Sequence, residues 1–304
     1  MIEAPVIADE IAGCVSSATI LRRDEPMARH TTLRVGGPAD VYVEPADEND
    51  LAAILKYCRD REVKFFLLGR GSNLLVRDGG FRGVVICLSQ PGFCRITFDG
   101  TRLHCRAGAR LKNVAVEARR NGLCGLEFLE GIPGSVGGAL RMNAGAMGGA
   151  MFDAVVSVRV MDFDGVVREL LPPELAVAYR GCATLKSRVA LGAVLGGRAD
   201  SVESIAQRMS AFSQKRWSSQ PAAPSAGCMF KNPATIPAGR LIDELGLKGT
   251  RVGGARVAQE HGNFLVNDGD ATAAEVLKLI GFLQARVLAE RGIELHPEVE
   301  IIGE

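Results

Sequence analysis

Glycine clusters at two places in the chain constrain the backbone more than any other feature of the sequence. The segment LLGRGSNLLV covers residues 67–76, and GIPGSVGGAL covers residues 131–140. Glycine permits tight turns and close backbone approach, so both segments predict loops between regular elements. Neither is a common nucleotide-binding motif. The first lacks the third glycine of the dinucleotide fingerprint and precedes a strand pattern, and the second is not closed by a Lys-Ser/Thr pair.

Two physical interpretations of these glycine loops remain open. Closely spaced glycines allow several backbone N–H groups to converge on an anion, and two such loops could hold a pyrophosphate. Each loop can also be a plain tight turn between strands, which is the more common role of an isolated glycine cluster. A further turn-forming cluster, NAGA at residues 143–146, favours the ligand interpretation.

The composition excludes several classes of protein. The 304 residues are 47% apolar with a formal net charge of +1, which indicates a globular chain without affinity for nucleic acid or an anionic membrane. The eight cysteines show no C-x-x-C pair and no paired His/Cys spacing, which argues against a metal site or a disulfide framework. The N-terminus is acidic where a signal peptide is basic, and no apolar run approaches about 18 residues. We expect a cytoplasmic protein with small-molecule partners and no obligate protein partner.

Apolar periodicity predicts a mixed α+β fold. The first thirty residues show no clear pattern, and the next fifteen read as two short strands interrupted by Gly36-Gly37-Pro38. Later segments alternate between helical and strand periodicity. Helices are predicted after Asp47, from Leu111 to about Gly122, over 202–217 and after the capping box that begins at Thr272. Strands are predicted over 63–68, 155–162, 166–171 and 189–195, and the middle two form a hairpin with its turn at residues 163–165. Helical spacing places five apolar residues on one face of the last helix, namely Val276, Leu279, Ile280, Leu283 and Val287.

The stretch QPAAPSAG, at residues 220–227, is a Pro/Ala/Gly connector that indicates passage into a C-terminal domain. We predict a first domain over residues 1–200, in two parts of about 1–90 and 91–200, and a second domain over residues 201–304. Directly after the connector, PSAGCMFKNP places Cys228 between a glycine and a hydrophobic pair. A free cysteine most often acts as a small buried hydrophobe, so this stretch alone does not show that the thiol is reactive.

Seven segments taken together resemble the UDP-N-acetylenolpyruvoylglucosamine reductase family of flavoenzymes, which act in peptidoglycan precursor synthesis. They occur in order from Thr31 to Gly303, and the short distance from Arg180 to Gly227 resembles the compact branch of the family, without a substrate-capping insertion. The resemblance implies a two-part FAD-binding domain of the vanillyl-alcohol-oxidase-like type and a smaller α+β substrate-binding domain. The segments are TTLRVGGPAD, LLGRGSNLLV, GLEFLEGIPGSVGGALRMNAGAMGG, AYRG, SAGCMFKNP, HGNFLVN and HPEVEIIG.

The resemblance also implies a cofactor and its binding residues. FAD would be bound without a covalent link, and NADPH would be the electron donor. The two glycine loops would then hold the FAD pyrophosphate, in agreement with the anion-binding interpretation above. The residues implied are Gly69, Arg70, Gly71, Ser72, Asn73 and Leu74 in the first loop, and Ile132, Pro133, Gly134, Ser135, Gly138 and Ala139 in the second.

By the same resemblance, three residues would carry the reduction of an enolpyruvyl ether to UDP-N-acetylmuramate. Arg180 matches the family's catalytic arginine, whose permanent charge suits a developing carboxylate dianion. Glu298 matches its catalytic glutamate, and Cys228 stands where many members have the serine that protonates the substrate carbon. A thiol, with a reference pKa of about 8.5, is a stronger acid than a serine hydroxyl, so we expect Cys228 to be the proton donor.

Four further residues are expected to bind the substrate. Tyr179 precedes the arginine, and Lys231 and Asn232 follow the thiol. Arg216 lies at the predicted end of a helix, where the helix dipole is a sufficient alternative explanation for a cation. The cations suit a diphosphate, and the amide of Asn232 suits a uracil or a sugar.

Two alternative functions remain open. A flavoenzyme of the same fold could oxidise an alcohol, in which case the alcohol, and not NADPH, would bleach the flavin. A regulatory protein that binds flavin or a UDP-sugar without turnover is suggested by the cysteine at position 228. Substrate-dependent consumption of NADPH would exclude it.

Overall fold

The computed structural model describes residues 4–304, so the first three residues of the N-terminal segment interpreted above lie outside the described residues. The chain divides into two compact units, each built from three stretches of sequence. Unit 1 comprises Met1–Arg23, Val41–Arg70 and Gly83–Lys215. Unit 2 comprises Asp24–Asp40, Gly71–Arg82 and Arg216–Glu304.

Local signals in the sequence define the two best-marked helices. The Asp47 carboxylate caps the helix that follows it by accepting hydrogen bonds from the backbone N–H groups of Asn49 and Asp50. Thr272 and Glu275 form the predicted capping box. The α-helices within the described residues are α1 (Ala4–Ala12), α2 (Glu48–Asp60), α3 (Pro91–Cys94), α4 (Leu111–Arg120), α5 (Val136–Met142), α6 (Val202–Ser219), α7 (Ala238–Glu244) and α8 (Ala273–Arg291).

The strands are short, as the many glycine and proline turns require. The sequence predicted the hairpin with its turn at residues 163–165, and the structure confirms it. The strands within the described residues are β1 (Ile20–Pro26), β2 (Pro38–Glu44), β3 (Phe65–Leu68), β4 (Leu74–Val76), β5 (Phe81–Cys87), β6 (Ile96–Asp99), β7 (Arg102–Arg106), β8 (Leu123–Cys124), β9 (Gly145–Ala146), β10 (Gly149–Ala150), β11 (Val155–Asp162), β12 (Val167–Leu170), β13 (Val177–Ala178), β14 (Gly181–Cys182), β15 (Arg188–Gly196), β16 (Arg198–Ala199), β17 (Ser225–Cys228), β18 (Arg251–Val252), β19 (Ala255–Val257), β20 (Phe264–Asn267) and β21 (Glu300–Ile302).

Unit 1 contains two hydrophobic cores. The first packs α4 and α5 against the antiparallel sheet of order β12-β11-β15-β7-β6, with Leu103, Val114, Leu140 and Val158 fully buried. The second packs α1 and α2 against β5 and against apolar residues of β11 and β15. The parallel pair β3 and β5 belongs to a sheet of order β1-β2-β5-β3. The glycine loop at residue 69 follows β3 directly.

Unit 2 is organised around α8, which buries Val276, Leu279, Ile280, Leu283 and Val287 on one face, as predicted from their spacing. This face packs in the same core as the antiparallel sheet β17-β20-β19-β18 and the parallel pair β21 and β4. Residues brought from distant parts of the sequence complete the core.

Asp78 reinforces the start of α8 from another of the three stretches of unit 2. Its carboxylate accepts the N–H groups of Ala273 and Ala274 at 2.7 and 2.8 Å. A negative charge at a helix N-terminus is stabilising because the first-turn N–H groups have no partner within the helix. Asp78 thus ties the second stretch of unit 2 to the third.

The N-terminal region is more regular than its unpatterned sequence indicates, and one of the two strands predicted there is wrong. The first thirty residues contain α1 and β1, and buried Asp50 anchors the segment between them by accepting hydrogen bonds from Ser16 and Thr19. Of the two strands expected around Gly36-Gly37-Pro38, only β2 forms. The hydroxyl of Thr31 donates to the Val35 carbonyl at 2.9 Å, which holds this segment in a turn and not in a ladder.

Candidate active site

The two glycine loops meet within unit 1. Gly69 follows β3, whereas Ser135 and Gly138 lie at the start of α5. A Cβ atom built on Gly69 would lie 3.1 Å from Oγ of Ser135 and 3.8 Å from Cα of Gly138. Any side chain at position 69 would therefore enter the narrow space between the loops, which explains the glycine physically.

A third segment, which the sequence analysis did not identify, holds the second loop. The N–H groups of Val136 and Gly137 donate to the carbonyls of Ala109 and Ala107 at 2.9 and 2.8 Å. A Cβ on Gly108 would come within 1.9 Å of the Leu88 carbonyl oxygen, so only glycine fits there. Both N–H groups are used in main-chain hydrogen bonds and are not available to bind an anion. The Gly108 in LHCRAGA was the one available signal for this segment.

The loops open onto a cavity of about 230 Å³ that lies wholly in unit 1. Its apolar wall comes from β3, β5 and β15, and its polar residues include Asn113 and Ser135. All of its charged lining residues are arginines, namely Arg70, Arg110, Arg141 and Arg188. Such a donor set, with no carboxylate among the lining residues, suits a ligand that is apolar in part and carries phosphate groups.

Two of these cations lie close enough to Cys94, a half-buried thiol in the cavity wall, to act on its charge. Burial raises the pKa of Cys94, and the charges of Arg70 and Arg110 oppose that rise. Both arginines therefore act on the same wall of the cavity.

The predicted cofactor residues occupy different positions relative to this cavity. Its lining includes Gly69, Arg70, Ser135 and Gly138. Ala139 is buried in the core of unit 1, and the carbonyl of Gly134 accepts the N–H of Leu111. Ile132 is half-buried and Pro133 is exposed, just before that carbonyl.

The remaining first-loop residues, at positions 71–74, belong to unit 2. Gly71 has φ +61°, and a Cβ there would lie 2.0 Å from the His30 carbonyl oxygen. The N–H of Thr32 donates to the Gly71 carbonyl at 3.1 Å. This glycine is thus required by close backbone packing. Ser72 is half-buried, and Leu74 is buried in β4.

Arg180 lies at the tip of the hairpin β13–β14, directly after Tyr179. Its backbone is left-handed, with φ +56°, a conformation that costs a residue with a side chain about 1–2 kcal/mol. Nη1 donates to the Gly145 carbonyl at 3.3 Å, and the guanidinium carbon is 5.4 Å from the centre of the Tyr179 ring. The Tyr179 side chain is 66% exposed. Strain of this kind clusters at functional sites, which supports a functional role for Arg180.

The segment that follows α5 fixes this hairpin. Asn143 terminates α5 in a left-handed conformation, and its Nδ2 donates to the Ala178 carbonyl at 3.2 Å. Asn143 and Gly145 both belong to the NAGA cluster at 143–146. The cluster therefore connects the second glycine loop to Arg180 within unit 1.

Unit 2 places Cys228 and Glu298 on neighbouring segments. Cys228 ends β17 after Gly227, whose φ is +77°. The N–H of Glu298 donates to the Met229 carbonyl at 2.8 Å, and Phe230 forms an antiparallel bridge with Pro297. Both Cys228 and Glu298 are half-buried.

Asn73 also binds the main chain around Glu298. Its Nδ2 donates to the Glu298 carbonyl at 3.1 Å, and its own carbonyl accepts the N–H of Glu300 at 3.1 Å. A Cβ on Gly227 would lie 3.8 Å from the Ser72 carbonyl oxygen. The Ser72-Asn73 loop, the thiol segment and the glutamate segment are therefore brought together in unit 2.

Asn263 fixes the segment that carries the thiol. This side chain is 2% exposed, and it binds Phe230 twice: Oδ1 accepts the Phe230 N–H at 2.9 Å and Nδ2 donates to the Phe230 carbonyl at 2.8 Å. Nδ1 of His261 accepts the Asn263 N–H at 3.1 Å, and burial lowers the pKa of His261. These hydrogen bonds give both residues of HGNF a structural role.

The predicted substrate-binding residues of unit 2 are more accessible. Lys231 and Asn232 are exposed, and Oδ1 of Asn232 accepts the N–H of Ala238 at 3.1 Å at the start of α7. Arg216 is half-buried near the end of α6, with its guanidinium carbon 5.4 Å from the centre of the Trp217 ring.

Three observations bear on other kinds of site. The eight cysteines all lie among the described residues and form no disulfide. Within residues 4–304, no group of three His, Cys, Asp or Glu side chains could hold a metal ion. No helix in the same range combines the length and apolar character needed to cross a membrane.

Comparison with family models gives the class of protein first. An FAD binding domain model matches residues 39–171, which include Gly69 and the second glycine loop. The cavity fits the group that this model requires, because its glycine-lined gap and arginine lining suit a dinucleotide with two phosphates. The chain is a flavin-dependent oxidoreductase that binds FAD.

The second comparison is more specific. A model described as the C-terminal domain of UDP-N-acetylenolpyruvoylglucosamine reductase matches residues 220–302. The reductase of this name from Heliobacterium modesticaldum is 46% identical over 93% of this chain and 90% of its own length. That from Bacillus licheniformis is 43% identical over 92% of this chain and 93% of its own length. The chain belongs to the UDP-N-acetylenolpyruvoylglucosamine reductase family.

A solved structure agrees with this assignment. The crystal structure of the reductase from Thermus caldophilus matches with a TM-score of 0.81 at 40% identity, covering 93% of this chain and 99% of that one. The fold class expected from the resemblance is confirmed.

Proposed function

We propose that this chain reduces the enolpyruvyl ether of UDP-N-acetylglucosamine enolpyruvate to UDP-N-acetylmuramate, using FAD and NADPH, in the cytoplasmic synthesis of peptidoglycan precursors. The observation that carries the proposal is the arginine-lined cavity at the meeting point of the glycine loops, inside the segment matched by the FAD model. The reaction proposed is that of the family to which the chain belongs over most of its length. The FAD-binding domain would span residues 1–200, with subdomains at about 1–90 and 91–200, and the substrate-binding domain would span 201–304.

FAD, when bound, supplies the transfer of a hydride from NADPH to the methylene carbon of the substrate. The chain's own task is to hold the cofactor without a covalent bond. Gly69 and Gly138 permit close approach at the loops, Ser135 offers a hydroxyl, and Arg70 offers a cation. The remaining residues of both loops would shape this site by fixing the backbone.

Cys228 donates the proton that completes the reduction. The thiol packs against an apolar cluster of Ala258, Phe264 and Val266. The main-chain bonds of Met229 and Phe230 to Asn263 hold the thiol segment in place.

Arg180 and Glu298 stabilise the charge that develops on the substrate. A guanidinium stays protonated throughout and pairs with a carboxylate through two parallel hydrogen bonds. Glu298, anchored on both sides by its main chain, acts in its protonated form as a hydrogen-bond donor. Preorganised groups of this kind lower the barrier because they need little rearrangement when the charge appears.

The four substrate-binding residues act on the UDP-sugar. Arg216 and Lys231 neutralise the diphosphate. Asn232 uses Oδ1 to start α7, which leaves its amide donors for a uracil or sugar oxygen. Tyr179, largely exposed, contributes its ring beside Arg180.

The test is anaerobic single-turnover mixing with flavin absorbance as the signal. NADPH should bleach the flavin band of the purified protein, and the enolpyruvyl substrate should restore it. In Cys228→Ala the restoration should be slow, whereas Cys228→Ser should remain close to the parent. A protein bleached by an alcohol instead of NADPH would be an oxidase, and a flavin that substrate does not reoxidise would contradict the reductase assignment. Unimpaired restoration in the alanine variant would remove the thiol from the mechanism.

A further inference from the structure

We infer that Arg188 is a phosphate-binding residue of the FAD cavity and that Asp162 positions it there. The inference rests on flavin binding at this cavity and adds two residues that the sequence analysis did not assign. Both lie in unit 1, on the paired strands β11 and β15.

The strand register brings the two side chains together. Asp162 is the last residue of β11 and Arg188 is the first residue of β15, and the two residues are partners in the antiparallel ladder. Oδ1 of Asp162 accepts Nε–H of Arg188 at 2.6 Å. The same register places Val189 and Ala190, the next residues of β15, in the cavity wall beside Arg188.

The use of Nε matters chemically. A guanidinium carries five N–H donors, and four of them are on the two terminal nitrogens. A carboxylate that binds Nε–H fixes the guanidinium plane and leaves the far edge, formed by one N–H of each terminal nitrogen, directed away from it. Two parallel donors on that edge match two oxygens of a phosphate.

Asp162 does not cancel the charge of the cavity. Its Oδ2 accepts Nε–H of Arg168 at 2.8 Å, so one carboxylate is shared between two arginines and the group carries a net positive charge. The Arg168 side chain is 55% exposed and is absent from the cavity lining, whereas the Arg188 side chain is 33% exposed and lines the cavity. Arg188 is therefore the member of the group that faces the ligand.

Phosphate is the chemical feature that these donors select. The formal negative charges of FAD are on its two phosphates, and the charged residues of the cavity lining are all cations. Gly69 and Ser135 line the same cavity as Arg188. A planar cation could also stack on adenine, but stacking does not need an acidic partner that fixes the guanidinium through Nε.

The experiment measures flavin affinity of the flavin-free full-length protein by quenching of flavin fluorescence. FAD, FMN and riboflavin serve as probes because they carry two, one and no phosphate groups. Arg188→Gln should raise the FAD dissociation constant by about 10- to 100-fold, as expected for loss of a charged hydrogen bond, and leave the riboflavin constant within about twofold. Arg188→Lys, which keeps the charge but loses the planar edge, should recover only part of the loss.

Asp162→Asn tests the positioning role, and Arg168→Gln is the matched control because Arg168 binds the same carboxylate outside the cavity. We expect the asparagine variant to raise the FAD constant by about 3- to 10-fold and the control to change it less than twofold. Increasing salt should weaken FAD binding less steeply in Arg188→Gln than in the parent.

Three results would overturn the inference: an unchanged FAD constant in Arg188→Gln, an equal loss for riboflavin and FAD, or an equal loss in the Arg168 control. If the asparagine variant does not fold, the two Arg188 variants decide the question alone. A parent protein that binds no flavin would instead refute the proposed function, so the two failures are distinguishable.

Discussion

The left-handed backbone of Arg180 allows the cost of the conformation at this proposed catalytic residue to be measured. We compare Arg180→Gly with Arg180→Ala, because both variants lose every contact of the arginine side chain and differ only in how they tolerate φ +56°. The conformation costs alanine about 1–2 kcal/mol and costs glycine almost nothing. Glycine also gives the unfolded chain more conformational freedom than alanine, which lowers the stability of the glycine variant by about 0.4–1 kcal/mol and offsets part of that difference.

The glycine variant should therefore be the more stable by about 0.5–1 kcal/mol, which corresponds to about 1–2 °C in the melting temperature of a protein of this size. Scanning calorimetry of the two variants side by side measures the difference. Neither variant should retain reductase activity.

A matched pair at Lys56 is the control. Lys56 is exposed in the middle of α2, also in unit 1, where the backbone is helical. At this position the glycine variant should be less stable than the alanine variant by about 1 kcal/mol, so the difference has the opposite sign to that at Arg180. If Arg180→Gly proves equal to or less stable than Arg180→Ala, the hairpin does not hold the arginine under strain and the argument from backbone conformation is wrong.

Three further predictions follow from individual contacts. Gly69→Ala places a methyl group between the loops and should raise the FAD dissociation constant by about tenfold with little change in melting temperature, as measured by flavin fluorescence. Asp78→Ala removes the carboxylate at the start of α8 and should lower the unfolding free energy by about 1–2 kcal/mol in urea titrations, whereas an unchanged value would show that the capping box suffices. Burial raises the pKa of Glu48, but hydrogen bonds from Arg159 and Arg106 outweigh it, and the net pKa is lowered. The ionised Glu48 therefore stabilises the fold at pH values above the unfolded-state pKa of about 4.3, and this stabilisation is lost as the pH falls through the folded-state pKa. Below about pH 4.3, the melting temperature of Glu48→Gln should fall less steeply with pH than that of the parent protein, as measured in thermal melts.

Local signals were sufficient for some of the fold. The helix after Asp47, the helix after Thr272 and the hairpin at 163–165 are each specified by a cap or turn within a few residues, and all three are confirmed. The resemblance likewise identified the family. These features depend on short-range chemistry or on a long series of ordered motifs.

Long-range contacts explain what could not be predicted. Thr31 and Val35 have a strand-like composition, but the Thr31 hydroxyl holds their segment in a turn in the core of unit 2. The segment beside Gly108 becomes part of the cavity only because the second glycine loop binds its carbonyls. The left-handed Arg180 has no signature in sequence, since its conformation depends on the hairpin and on Gly145.

The parallel ladder between β4 and β21 pairs Leu74 with Glu300 and Val76 with Ile302. During synthesis on the ribosome, β4 emerges long before its partner exists, so unit 2 cannot complete its sheet until residues 300–302 have been released. Chaperones that shield exposed strands should therefore act on the nascent chain up to that moment. A chain cut short just before β21 would leave β4 open to aggregation.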